Sequence, residues 1–180
     1  SLFEDAQGDL WIGTAGGRVC RLHAGRIVSV RGRGISGDEN VAVLAADADG
    51  HVWVGTSEGL LFWEGAGIFR DESFGRIGHG VIRALLKDRA GVMWISSVYG
   101  LYSYDDSKLT PVVGPPPDTN FSPYCLLEDR SGKIWASIGN GKVLCRENGV
   151  WRSYDETSGL PFAYITCLAE DAEGTVWAGS

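Results

Sequence analysis

Asp47-Ala-Asp-Gly-His-Val-Trp53 is one of five copies of the phrase Asp-x-x-Gly-x-(apolar)-Trp. The others are Asp5–Trp11, Asp88–Trp94, Asp129–Trp135 and Asp171–Trp177. Their glycines are Gly8, Gly50, Gly91, Gly132 and Gly174. The tryptophans, Trp11, Trp53, Trp94, Trp135 and Trp177, follow one another at steps of 42, 41, 41 and 42 residues. A fixed period of about 20–50 residues marks a solenoid, a propeller or another array.

The second unit shows what is repeated. Val41–Ala46 is a short apolar run, as in a buried strand. Asp47–Gly50 is a turn, because Asp accepts bonds from amides two residues on and Gly adopts positive φ without steric cost. Val52–Thr56, Leu60–Trp63 and Gly67–Arg70 supply three more strands, giving an antiparallel meander. The apolar i, i+3, i+4, i+7 pattern of a helical solenoid is not sustained. One meander cannot bury both of its faces, but copies packed face to face around an axis can. The reading is therefore all-β, a propeller of four-stranded antiparallel blades. Each grid tryptophan is expected on a second strand, between neighbouring blades. The small residues after it (Gly13-Thr14, Gly55-Thr56, Ser96-Ser97, Ala136-Ser137, Ala178-Gly179) suit close approach there.

Residues 1–180 read as one partial propeller domain, with repeats at about 1–40, 41–80, 81–122 and 123–163 and an incomplete one at 164–180. Four repeats and half of a fifth imply a piece of a longer propeller, or one completed by another chain. A start at Ser1 rather than Met reads as processed or excised. The segments Arg31–Asn40, Glu72–Gly80, Gly114–Ser122 and Asp155–Ala163 are expected to be loops between blades.

The net charge of −7, with lysines only at Lys87, Lys108, Lys133 and Lys142, argues against nucleic acid and anionic membrane as partners. No apolar run reaches the roughly 18 residues of a membrane-crossing helix. Cys20, Cys125, Cys145 and Cys167 form no CxxC pair. Cys125 and Cys167 hold equivalent repeat positions, which favours buried free thiols over a disulfide.

Leu2–Thr14 and Gly159–Ser180 resemble the two-component regulator propeller repeat. The resemblance extends over all five copies, with Ser96-Ser97 and Ala136-Ser137 where that family tends to Gly-Thr. It implies a bacterial periplasmic sensor region of a membrane-anchored histidine kinase or hybrid two-component receptor. It also implies signal transduction by binding a small ligand such as an oligosaccharide breakdown product. The implied partners are the remainder of the propeller, downstream signalling domains and, as an option, a second copy in a homodimer. The Asp-box of sialidase-type propellers does not fit, since Asp88 stands three residues before Gly91.

Other motifs fail their context. Gly55-Thr-Ser-Glu-Gly59 fits G-x-S-x-G, but no helix follows. Gly32–Gly37 fits G-x-G-x-x-G outside any βαβ unit. Asp47 with Asp49 suggests calcium, but the other copies carry Gln7, Ala90, Ser131 and Glu173 in place of Asp49, so a turn-capping role is preferred. No metal, no cofactor and no catalytic residue is expected. The function reads as non-catalytic binding, with a propeller enzyme (lyase or glycosidase) or a protein-interaction scaffold as alternatives. Loops carry binding on a rigid frame. The candidate ligand-binding residues are Arg33, Asp38, Asn40, Arg76, His79, Tyr99, Asn120, Tyr124, Asn140 and Tyr164, an aromatic and hydrogen-bonding set suited to a sugar.

Overall fold

A computed structural model describes residues 1–30, 39–47, 49–63, 67–69, 72–105, 107–118, 120–139 and 141–180, except the side chains at 69, 72, 73 and 76. The first sheet comprises β1 (Leu2–Glu4), β2 (Leu10–Gly13), β3 (Val19–His23) and β4 (Arg26–Val30). The second comprises β5 (Val41–Ala46), β6 (Val52–Thr56), β7 (Leu60–Trp63) and β8 (Ile68–Phe69). The third comprises β9 (Ile82–Lys87), β10 (Met93–Ser97), β11 (Gly100–Asp105) and β12 (Lys108–Pro111). The fourth comprises β13 (Cys125–Glu128), β14 (Ile134–Ile138), β15 (Lys142–Glu147) and β16 (Val150–Tyr154). A hairpin of β17 (Cys167–Glu170) and β18 (Val176–Gly179) follows.

Each sheet is an antiparallel meander in chain order. The first strands β1, β5, β9, β13 and β17 lie side by side in succession. The sheets therefore stack around a common inner edge, as blades of a partial propeller.

The core lies between blades. Trp11 packs with Val41, Val52, Val54 and Leu61 of the second blade; Trp53 packs with Ile82, Met93 and Ile95 of the third; Trp94 packs with Ile134, Ala136 and Leu144 of the fourth. One third-strand position, paired with the residue before the grid tryptophan, covers the tryptophan of the preceding blade. Trp63 lies 4.7 Å from Trp11, Tyr104 lies 5.1 Å from Trp53, and the Arg146 guanidinium lies 5.2 Å from Trp94. The small residues after tryptophan admit this approach: a Cβ on Gly55 would stand 2.6 Å from Val43 Cγ1 and 2.7 Å from Ile82 Cγ2.

The expected burial of every grid tryptophan fails at the far end. Trp135 is half-buried, stacked on Tyr154 of its own sheet, and Trp177 is 62% exposed. The cause is visible in the order of packing, since the cover comes from the strands of the following blade, including the third-strand position over the ring. The opposite face of the first blade likewise shows Leu2 and Ile27. Cys167, expected to be buried, is exposed for the same reason.

A second correction concerns Glu72–Gly80, expected to be a loop. Residues Glu72–His79 form 3-10 helix, with a break at Gly75 (φ 50°). Phe74 and Ile77, on either side of that break, are both buried. Phe74 lies 5.7 Å from Trp53 and 5.3 Å from Tyr104, closing the junction between the second and third blades.

Candidate functional site

The repeated phrase is wholly engaged in building the scaffold. In all five copies the Asp Oδ2 accepts from the indole Nε1 six residues on, at 2.8, 3.0, 2.8, 2.7 and 2.6 Å for Asp5, Asp47, Asp88, Asp129 and Asp171. Oδ1 accepts from the amide four residues on in each copy. In four copies it also accepts from the amide two residues on, donated by Gln7, Asp49, Ser131 and Glu173. The glycine donates its amide to the Asp carbonyl with φ between 82° and 93°. The tryptophan is thus tied to its own turn while its ring covers the blade junction.

These bonds set the acidity of the carboxyls. Burial opposes ionisation of Asp5, Asp47 and Asp129, but the indole bond and the accompanying hydrogen bonds outweigh it and hold all three below the usual carboxylate range. Asp171 is held down chiefly by the bond from Trp177.

The opposite ends of the inner strands meet the connections between blades. Asn40 Oδ1 accepts from the Gly16 amide at 3.4 Å, and the Asn40 amide donates to Ser57 Oγ at 3.1 Å. Gly80 abuts the Tyr99 ring, and Gly100 faces Asn120 Oδ1, 2.6 Å from where a Cβ would stand. Gly141 packs under Pro161 and Phe162. Each connection therefore rests on a turn between second and third strands, and Asn40, Tyr99, Asn120, Tyr124 and Tyr164 share that face. His79 is exposed at the end of the 3-10 helix. Arg33, Asp38, Asn140 and the side chain of Arg76 lie outside the described residues.

Two of the expected residues converge. The rings of Tyr124 and Tyr164 stand 6.3 Å apart at 89°, and both border Gly139. Tyr124 is 39% exposed and Tyr164 62%. Arg83, which the sequence reading missed, completes the group. Its guanidinium lies 4.5 Å over the Tyr124 ring, and its Nη1 donates to the Ser122 carbonyl at 3.2 Å. Ser122 Oγ donates in turn to the Ser97 carbonyl. Arg83 stands five residues before its grid Asp, where the other repeats have Ala42, Tyr124 and Thr166. A charge at a first-strand position whose counterparts are uncharged was the available signal.

A second polar group sits in the first blade. The buried Asp9 carboxylate accepts from Arg21 Nη2 and lies 2.8 Å from His23 Nδ1. Arg21 lies 5.3 Å from Trp11 and 5.4 Å from Trp63, so this group belongs to the first blade junction. Among the described residues, Asp47, Asp49 and His51 bring metal-binding atoms within 4.8 Å of one another. The Asp47 oxygens there already accept from two amides and the Trp53 indole, and His51 Nδ1 lies 3.0 Å from Oδ2. The four thiols are free, and burial pushes Cys125 and Cys145 upward in pKa. A groove of about 550 Å³ beside β18 is lined by turn residues including Asp129, Arg130, Trp135 and Glu173. None of the expected binding residues borders it. No described helix is long and apolar enough to cross a membrane.

No curated protein sequence matches the chain. Among solved structures, virginiamycin B lyase from Staphylococcus aureus superposes with a TM-score of 0.74 at 14% identity, over 98% of this chain and 61% of the lyase. PorZ, a surface component of the type-IX secretion system of Porphyromonas gingivalis, gives 0.75 at 17% identity, over 99% and 30%. A protein named as the extracellular domain of the hybrid two component system BT4673 from B. thetaiotaomicron gives 0.72 at 19% identity, over 96% and 24%. The chain spans less than two thirds of each, and at these identities the likeness is one of fold. Residues 1–16, 34–58 and 159–180 match the two component regulator propeller repeat. In its repeated phrase and the blades that phrase builds, the chain is similar to the two component regulator propeller family over those residues.

Proposed function

We propose that this chain is part of the periplasmic sensory propeller of a bacterial two-component receptor. It binds a small ligand, such as a glycan breakdown product, on the face formed by the connections between blades, and it carries out no chemistry on that ligand. The observation that carries this reading is the division of labour among residues. The residues fixed by the repeat are engaged in turns and blade junctions. Residues that depart from the repeat, Arg83, Tyr124 and Tyr164, meet at one end of the inner strands. The family match supports the receptor context. The remaining blades, the output domains and a homodimer are the partners this reading entails.

The test is an isotope-edited NMR titration with a panel of plant and host oligosaccharides, with the mixtures then analysed for products. Shifts centred on Tyr124, Gly139 and Tyr164, with ligand recovered unchanged, are expected. Shifts confined to the Asp-x-x-Gly turns, or new products in the mixture, would overturn the reading.

A further inference from the structure

We propose that Arg83, Tyr124 and Tyr164 form a subsite for an anionic group, a carboxylate or sulfate ester, borne on a ring-shaped ligand. This rests on the ligand-binding reading of the same face. Three observations carry it.

The first is how Arg83 is presented. Ser96 pairs with Ala84 and Ser97 with Ile82, so Arg83 falls in a bulge, as Ala42 does between Val41 and Val43. A bulge re-aims a side chain and is favoured beside functional sites.

The second is charge. Arg21 meets Asp9, Arg89 meets Glu128, and Arg130 meets Glu170. Arg83 is half-buried, and no carboxylate among the described residues pairs with it. Its polar and ring contacts among the described residues are one carbonyl and one ring face. A guanidinium has five donors arranged in a fork that matches carboxylate and sulfate-like oxygens. The bond to Ser122 uses one of them and leaves the positive charge uncompensated, in a chain of net charge −7.

The third is what lies beside the charge. The Tyr124 ring holds the guanidinium in place, and the exposed Tyr164 ring stands at right angles to it. Gly139 brings no side chain between the two rings; a Cβ there would touch both, at 3.5 and 3.6 Å. A ligand ring can lie against Tyr164 while its charged substituent reaches Arg83.

The experiment is calorimetric titration of the whole chain with digalacturonate, its uncharged dimethyl ester and galactose 6-sulfate. Arg83→Gln, Arg83→Lys and Tyr164→Ala are titrated in parallel, and their folding is checked by circular dichroism. The wild type should bind an acidic probe at least about tenfold tighter than the ester, the scale of one charge-assisted hydrogen-bond set. Arg83→Gln should abolish that preference. Arg83→Lys should keep part of it, because the charge remains without the fork. Tyr164 is largely exposed, so Tyr164→Ala should fold normally and weaken every ring probe. Whichever of carboxylate and sulfate binds more tightly identifies the source of the anion. Equal affinity for acid and ester, with loss of both in Tyr164→Ala, would overturn the anion subsite and leave ligand binding standing. No binding of any probe at millimolar concentration would overturn both.

Discussion

Replacing Trp53 and Trp177 separately by alanine tests whether the following blade is what buries the grid tryptophans. The two side chains have the same turn and the same bond, Nε1 to Asp Oδ2 at 3.0 and 2.6 Å. They differ in cover, being 2% and 62% exposed. A fully buried aromatic removes about 150–250 Å² from water, worth roughly 5 kcal/mol at about 25 cal/mol per Å². That agrees with the roughly 3–5 kcal/mol typical of buried Trp→Ala replacements, in which the surroundings only partly collapse. Trp177 hides only the remaining two fifths of its surface, about 60–90 Å², and its loss opens no enclosed cavity; about 1.5–2 kcal/mol is expected. In urea, with slopes of about 2 kcal/mol per molar, the unfolding midpoint should fall by roughly 2 M for Trp53→Ala and by less than about 1 M for Trp177→Ala. Equal shifts would refute the reasoning, because the tryptophans would then owe their stabilising effect to their own sheet and turn.

Two further outcomes follow from the turns and thiols. Asp5, Asp47, Asp129 and Asp171 have folded pKa values below their unfolded ones, so the unfolded chain binds more protons in acid. The stability they contribute is complete above about pH 4, the unfolded carboxylate range, and is lost as pH falls through the lowered folded values. Urea midpoints at descending pH should drop most steeply below pH ~4, with a shallower acid limb in Asp47→Asn; a midpoint that rises there would contradict the turn geometry. Cys167 is exposed, whereas burial raises the pKa of Cys125 and Cys145. A thiol-reactive chromophore should therefore label Cys167 quickly and Cys145 only in denaturant, and uniform labelling of all four would count against the packing described.

The blade meander was legible because its signals are local. Asp with Gly three residues on can close only a tight turn, and the tryptophan's fixed place after that turn sets it on a second strand. The indole-to-carboxylate bond was not foreseen, although the constant separation of six residues carried it in all five copies. The burial of Trp135 and Trp177 was misjudged because it depends on strands supplied by a neighbouring repeat. The 3-10 segment was read as a loop because two buried residues, Phe74 and Ile77, are too few to establish a helical period. Of the candidate site, Tyr124 and Tyr164 stand out in the sequence as aromatic residues just past the variable loops Gly114–Ser122 and Asp155–Ala163. Arg83 was missed because it lies inside a strand, where only its bulge turns it out of alternation.

Departure from the repeat does not by itself designate function, and the arginines show why. The Glu128 Oε2 accepts the Arg89 amide at 2.9 Å while Arg89 Nη1 donates to the Arg130 carbonyl. The pattern recurs one blade later, with Glu170 accepting the Arg130 amide and Arg130 Nη1 reaching the Ala172 carbonyl. The first blade has Ala6 and the second Ala46 at these places, so this latch is as irregular along the sequence as Arg83 is. Its charges, however, are met within the chain by the next blade's glutamate, and its work is to hold blades together. Arg83 also reaches across a blade junction, but to a ring and a carbonyl, neither of which neutralises it. An irregular residue whose charge is answered internally belongs to the scaffold. One whose charge is held in place yet left unanswered is prepared for something that arrives from outside.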